Sequence, residues 1–116
     1  MQVPGSLGVY QKLQSAAVAT GDGAALGCSD VGGVGWLNYA TLQVTGITTA
    51  TVTWEAQLDG TNWVAVLVKN LNTGVEATTT TANGLFRVQC TGLMQLRGRI
   101  SSWTSGTIYI TAVATA

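Results

Sequence analysis

The sequence predicts an all-β fold, an antiparallel β-sandwich of jelly-roll or immunoglobulin-like type that carries an extended N-terminal arm. From Trp36 onward, apolar and polar residues alternate with a period of two. Turn-forming clusters punctuate that region about every 8 to 12 residues, the spacing of a sandwich or barrel. No stretch within it keeps a helical period. A chain of 116 residues has room for a single core, here divided into an arm, residues 1–13, and a sandwich, residues 14–116.

The elements follow in chain order. Residues 1–9 hold Pro4, Gly5 and Gly8 and read as an extended arm, either disordered or ordered only against a neighbour. Residues 10–20 contain Ala17-Val18-Ala19, a short strand in preference to one helical turn. Six glycines, Gly21, Gly23, Gly27, Gly32, Gly33 and Gly35, mark the region up to Trp36 as loop-rich. Residues 37–44 alternate, with Tyr39, Thr41 and Gln43 opposite Asn38, Ala40, Leu42 and Val44. In Thr51-Val52-Thr53-Trp54-Glu55-Ala56-Gln57-Leu58, the set Val52, Trp54, Ala56 and Leu58 is expected inside, and Thr51, Thr53, Glu55 and Gln57 outside.

Asp59-Gly60-Thr61-Asn62 is a turn by its chemistry, because Asp accepts backbone N–H groups and Gly tolerates positive φ. Residues 63–69 then complete a hairpin. The polar span 70–83 includes Thr78 to Thr81, whose β-branching favours an edge strand or a stretched loop. Phe86, Val88 and Cys90 share one face. Met94, Leu96, Gly98 and Ile100 are expected inside, and Gln95, Arg97 and Arg99 outside. After a break over residues 101–106, a last strand spans 107–113, with Ile108 and Ile110 inward and Tyr109 and Thr111 outward.

Hydrophobic residues make up 47% of the chain and charged residues only 9%, against about 25% charged in an average soluble domain. Mean hydropathy is +0.33. A surface so poor in charge is expected to be covered in its working state, by copies of the chain or by a partner. Five basic residues balance five acidic ones, so there is no basic face of the kind that neutralises phosphates, and nucleic acid is not an expected partner. The longest clean apolar run, Val64-Ala65-Val66-Leu67-Val68, falls far short of the roughly 20 residues of a membrane-spanning helix. The N-terminus lacks the basic start and apolar stretch of a secretory signal, which implies synthesis in a cytoplasm without export by that route. Cys28 and Cys90 have no metal-type spacing, and buried free thiols are favoured over a disulfide in a reducing compartment.

The chain contains no histidine. That removes the commonest general base, the commonest metal ligand and the Ser-His and Cys-His nucleophile pairs. Asp22, Asp30, Glu55, Asp59 and Glu76 could in principle supply a carboxylate pair, but Asp59 serves a turn and Glu55 a strand face. The turn at Asp59 offers too few oxygens for calcium. The glycine clusters lack the ending of a phosphate loop. No enzyme activity and no cofactor are expected. Trp54 belongs to the core. Trp36, Trp63 and Trp103 lie at segment edges, where sealing the core is favoured over stacking on a sugar or anchoring a partner. Arg97 and Arg99 share a strand face and can pair with Glu55 across strands or subunits.

The segment Trp54-Glu55-Ala56-Gln57-Leu58-Asp59-Gly60-Thr61-Asn62-Trp63 resembles a motif of small virion proteins of tailed bacteriophages. So does Leu96-Arg97-Gly98-Arg99-Ile100-Ser101-Ser102-Trp103-Thr104-Ser105-Gly106-Thr107-Ile108. The resemblance spans about residues 37–113, and it implies a sandwich module used as capsid decoration (cement), head-fibre, or tail and baseplate component. It implies a homotrimer bound to the major capsid protein on the outer face of the head, a protein made in the host cytoplasm. The alternative is a tail or fibre component that binds host-surface carbohydrate. The candidate interaction residues are Trp36, Trp103, Arg97 and Arg99, with Val3, Pro4, Leu7 and Tyr10 in and next to the arm.

Overall fold

The computed structural model describes residues 8–28 and 37–115. These residues form β1 (Gly8–Ala17), β2 (Leu26–Gly27), β3 (Tyr39–Gln57), β4 (Val64–Ala65), β5 (Val68–Asn70), β6 (Glu76–Ala77), β7 (Thr79–Thr80), β8 (Gly84–Gln89) and β9 (Gln95–Thr115). All pairings are antiparallel. The main path runs β1-β9-β3-β8-β5-β6, with β2 added to β9, and β4 and β7 added to β3. Among the described residues no helix is long and apolar enough to cross a membrane.

Two long strands build both layers. β3 and β9 pair from Tyr39↔Thr115 to Gln57↔Gln95, and their register slips repeatedly between Thr45 and Val52. Such bulges bend and twist a strand pair, and here the bend turns one ribbon into two facing sheets. The first layer holds β1, the C-terminal half of β9, the N-terminal half of β3, β8, β5 and β6. The second holds β2, the N-terminal half of β9, the C-terminal half of β3, β4 and β7. The layers meet face to face: Trp54 of the second layer has its ring centroid 5.8 Å from that of Phe86 in the first. Gly98, opposite Trp54 in register, leaves room for the indole; a Cβ there would lie 2.8 Å from Trp54 Cζ3 and 3.1 Å from Ile110 Cδ1.

The inward sets predicted for the two long strands are found in the core: Ala40, Leu42 and Val44; Val52, Trp54 and Ala56; Leu96 and Ile100; Ile108 and Ile110. Other expectations need correction. The break placed at residues 101–106, and the gap left between the alternating runs 37–44 and 51–58, are bulges inside continuous strands. Gly46 and Gly106 face each other there with φ of +83° and +118°, and a Cβ on Gly46 would come within 1.7 Å of the Thr107 carbonyl oxygen. Leu58, expected inside, is 64% exposed, because β3 ends at Gln57 and Leu58 enters the turn. Glu55 and Gln57, expected outside, are buried; they do face away from the core, but side chains of the same layer cover them. The apolar run 64–68 is no single strand: Val64 pairs with Ala56 in the second layer and Val68 with Ala77 in the first, so the chain crosses between layers within it, and Val64 and Leu67 stay exposed. Met94 is half-buried and lies just before β9.

Residues 8–13, assigned to the arm, are the first part of β1 and pair with the end of β9. Leu13 is wholly buried. Its neighbour Gln14 donates from Nε2 to the carbonyls of Gly98 (2.9 Å) and Gly21 (3.1 Å), which ties β1 to the second layer. Residues 1–7 of the arm lie outside the described residues.

Candidate functional site

On the outer face of the second layer, the cross-strand register sets Glu55 opposite Arg97. Glu55 Oε1 accepts from Arg97 Nε at 2.9 Å and from Arg99 Nε at 3.1 Å, and it lies 2.8 Å from Arg97 Nη2. Arg97 also approaches Asp22 at 3.4 Å, and its guanidinium stacks 4.1 Å from the Trp63 ring centroid. Burial works to raise the Glu55 pKa, but the hydrogen bonds and charges of Arg99 and Arg97 outweigh it and hold the carboxyl below its ordinary 4.5. A carboxylate so held is poorly suited to act as a proton donor near neutral pH. Arg97 and Arg99 are therefore brought together with Glu55 inside one chain, as the pairing across strands predicts.

Trp103 packs half-buried against the core and donates its indole N–H to the Gly106 carbonyl at 3.0 Å. It seals the bend of β9. At the turn after β3, Asp59 accepts the N–H groups of Asn62 (2.8 Å) and Thr61 (2.9 Å) and the Asn62 side-chain amide (2.7 Å). Those bonds, the Asn62 backbone bond foremost, lower its pKa to about 2. Among the described residues no group of three or more His, Cys, Asp or Glu is placed to hold a metal. Trp36, Val3, Pro4 and Leu7 lie outside the described residues.

The outer face of the first layer is different in kind. Register aligns Tyr10, Val113, Thr41, Arg87, Lys69 and Glu76 in one row across six strands. Parallel to it run Lys12, Thr111, Gln43 and Leu85 on one side, and Thr115, Tyr39 and Gln89 on the other. Residues paired in this way share a face. Tyr10 is 65% exposed, and Tyr39, Val113, Leu85 and Tyr109 lie between 40% and 47%. The result is a broad sheet face on which aromatic, aliphatic and uncharged polar groups surround four charged ones, Lys12, Lys69, Glu76 and Arg87. At one end a groove of about 700 Å³ lies among Tyr39, Lys69, Glu76, Arg87 and Gln89, with the Arg87 guanidinium 6.0 Å from the Tyr39 ring centroid. Of this face, the sequence reading singled out Tyr10 alone as a contact. The signal for the rest was present in outward strand positions occupied by Tyr39, Tyr109 and Val113 instead of charged residues.

No protein-family model and no curated protein matches the sequence. Two solved structures share the fold. The crystal structure of the SPBc2 prophage-derived protein YomS aligns with a TM-score of 0.82 at 15% identity, over 94% of this chain and 93% of that one. The crystal structure of the PBSX exported protein XepA aligns with a TM-score of 0.83 at 17% identity, over 94% of this chain and 38% of the longer XepA chain. At such identities the likeness establishes the fold: an antiparallel β architecture shared over almost the whole of YomS and with one part of XepA.

Proposed function

We propose that this chain is a non-enzymatic structural protein of a bacteriophage particle, and that it serves as a capsid decoration protein on the outer surface of the head. The observation that carries the phage assignment is the fold shared with YomS, a prophage-derived protein, over nearly the full length of both chains. The docking role rests on the outer face of the first layer. Exposed Tyr10, Tyr39, Leu85, Tyr109 and Val113 on a rigid sheet are the aromatic and aliphatic anchors that protein contacts use, set among polar groups and four charged ones that can satisfy a partner's hydrogen bonds. Low charge fits a subunit that trimerises and repeats one contact around a symmetry axis, where avidity adds to weak single contacts. The partners in this reading are the major capsid protein and two further copies of the chain.

The groove beside Tyr39 favours a second reading, a tail or baseplate component that binds host carbohydrate. A sugar can stack on an aromatic face while Arg87, Gln89, Lys69 and Glu76 supply donors and acceptors. Trp103 fits this role less well, since its N–H is already bonded and its ring packs on the core. Co-sedimentation with empty heads and with isolated tails, beside a glycan array, separates the readings. Saturable binding to heads with a blank array supports decoration. Binding to tails with glycan signal that Tyr39→Ala abolishes replaces it with the second.

A further inference from the structure

We infer that Cys28 and Cys90 form a disulfide site that closes once the protein leaves a reducing compartment, stapling one end of the sandwich across its two layers. The two cysteines come from different layers, Cys28 directly after β2 and Cys90 directly after β8, and the backbone holds both in one place. Cys28 N–H donates to the Met94 carbonyl at 2.9 Å, and Leu93 N–H donates to the Cys90 carbonyl at 2.9 Å. On the other side, Leu37 N–H donates to the Cys28 carbonyl at 2.9 Å, and Cys90 N–H donates to the Asn38 carbonyl at 2.6 Å. Each cysteine is thus pinned twice, to members of the same two adjacent pairs, 37/38 and 93/94. Both side chains are wholly buried in the core; the Cys28 thiol donates to the Leu26 carbonyl at 3.6 Å, and the two thiols lie near enough to influence each other's ionisation. Backbones held on these shared neighbours bring the two side chains into one region of the core, where side-chain rotation can set the sulfurs at bridging distance.

A reducing cytoplasm keeps both thiols reduced. Outside it, a small-molecule disulfide such as oxidised glutathione is the oxidant. The thiolate of one cysteine attacks a glutathione sulfur, forming a mixed disulfide and expelling one glutathione thiolate. The second cysteine, as thiolate, attacks the protein sulfur of that mixed disulfide and expels the other. Two protein thiols become one disulfide, two electrons pass to the glutathione disulfide, and the two protons end on the released glutathione thiols. The bridge encloses a loop of about 60 residues, long enough for a large reduction in unfolded-chain entropy.

Because the folded core shields both sulfurs, the exchange requires a transient opening of that end of the sandwich, and the test starts from the denatured, reduced chain. One portion is refolded in a glutathione redox buffer and another in excess reductant. The oxidised product is expected to be a monomeric chain two hydrogens lighter, with no thiol reactive in denaturant and a melting temperature higher by roughly 10 °C. The same comparison on Cys90→Ala should show no oxidation-dependent shift. Two reactive thiols after oxidative refolding, cross-linking between chains, or a bridged form that melts below the reduced one would overturn the inference. Should Cys90→Ala fail to fold, the two wild-type arms decide alone.

Discussion

Trp54 and Gly98 face each other across β3 and β9, and the size of one depends on the absence of a side chain on the other. The indole N–H finds no acceptor among the described residues, so this residue contributes through apolar packing. Trp54→Ala is expected to cost about 3–5 kcal/mol, as large core aromatics do. Gly98→Ala should cost about 1–3 kcal/mol through overpacking, and less in a Trp54→Phe background, where the ring that the new methyl meets is smaller. Urea unfolding of the two single variants and the double variant measures all three. On the opposite face, Glu55 is the carboxylate on which two arginines converge. Its pKa is lower folded than unfolded, so its contribution is complete above the unfolded value of 4.5 and is lost as pH falls through the folded value. Thermal stability should fall as pH drops below about 4.5, with a shallower fall in Glu55→Gln. That variant should also lose about 1–3 kcal/mol at neutral pH, the usual worth of hydrogen bonds to charged groups. Equal pH slopes in the two proteins would mean that other carboxylates govern acid unfolding. Asp59, fully exposed and lowered to about 2, adds its effect over a lower range, between its ordinary 3.8 and that value.

At the scale of elements, the bend in the β3–β9 ribbon decides whether the chain makes one sheet or two. Gly46 holds that bend with φ of +83° and its Cα against the Thr107 carbonyl. Gly46→Ala combines left-handed strain with a backbone clash, and a loss of about 2 kcal/mol or more is expected from denaturant midpoints. Gly60→Ala is the control, since Gly60 has a similar φ of +82° but open space around it, and it should cost less. These glycines also explain what the sequence could and could not convey. Alternation around Trp54 and Ile110 was legible because it is local, and it located the core positions of both long strands. Thr45-Gly46 and Ser105-Gly106 have turn composition, and only tertiary pairing distinguishes a bulge from a strand end. The layer crossing within residues 64–68 was hidden for the same reason, since a continuous apolar run looks alike whichever sheet each residue joins. Glu55 and Gln57 were assigned to the correct face but not to the correct environment. Their cover is supplied from across the sheet, by Arg97 and Arg99 for one and by Gln95 for the other. The Arg97–Glu55–Arg99 cluster was partly legible because two arginines two apart on a strand must share a side.

For the whole molecule, the question is what the broad outer face of the first layer meets. Its central row sets Tyr10, near the start of the chain, directly beside Val113, near the end, and continues through Thr41, Arg87, Lys69 and Glu76. No local pattern announces such a row, because six strands contribute one residue each. Substitutions on it should separate docking from folding. Val113→Lys and Leu85→Lys replace half-exposed side chains that point away from the core, so each should change stability by less than about 0.5 kcal/mol. In the decoration reading the same changes place an unpaired charge inside a desolvated contact, and affinity for empty heads should drop at least tenfold, equivalent to about 1.4 kcal/mol. Sedimentation equilibrium of the unbound protein supplies the second readout, with an expected mass three times the 11.9 kDa of one chain. If Val113→Lys dissociates the trimer, this face joins copies of the chain, and the capsid contact lies elsewhere. If it leaves the trimer whole and releases the protein from heads, the face belongs to the shell. Unchanged mass and unchanged binding together would remove this surface from the mechanism, and the search for the contact would pass to the edge of β6 and the groove beside Tyr39.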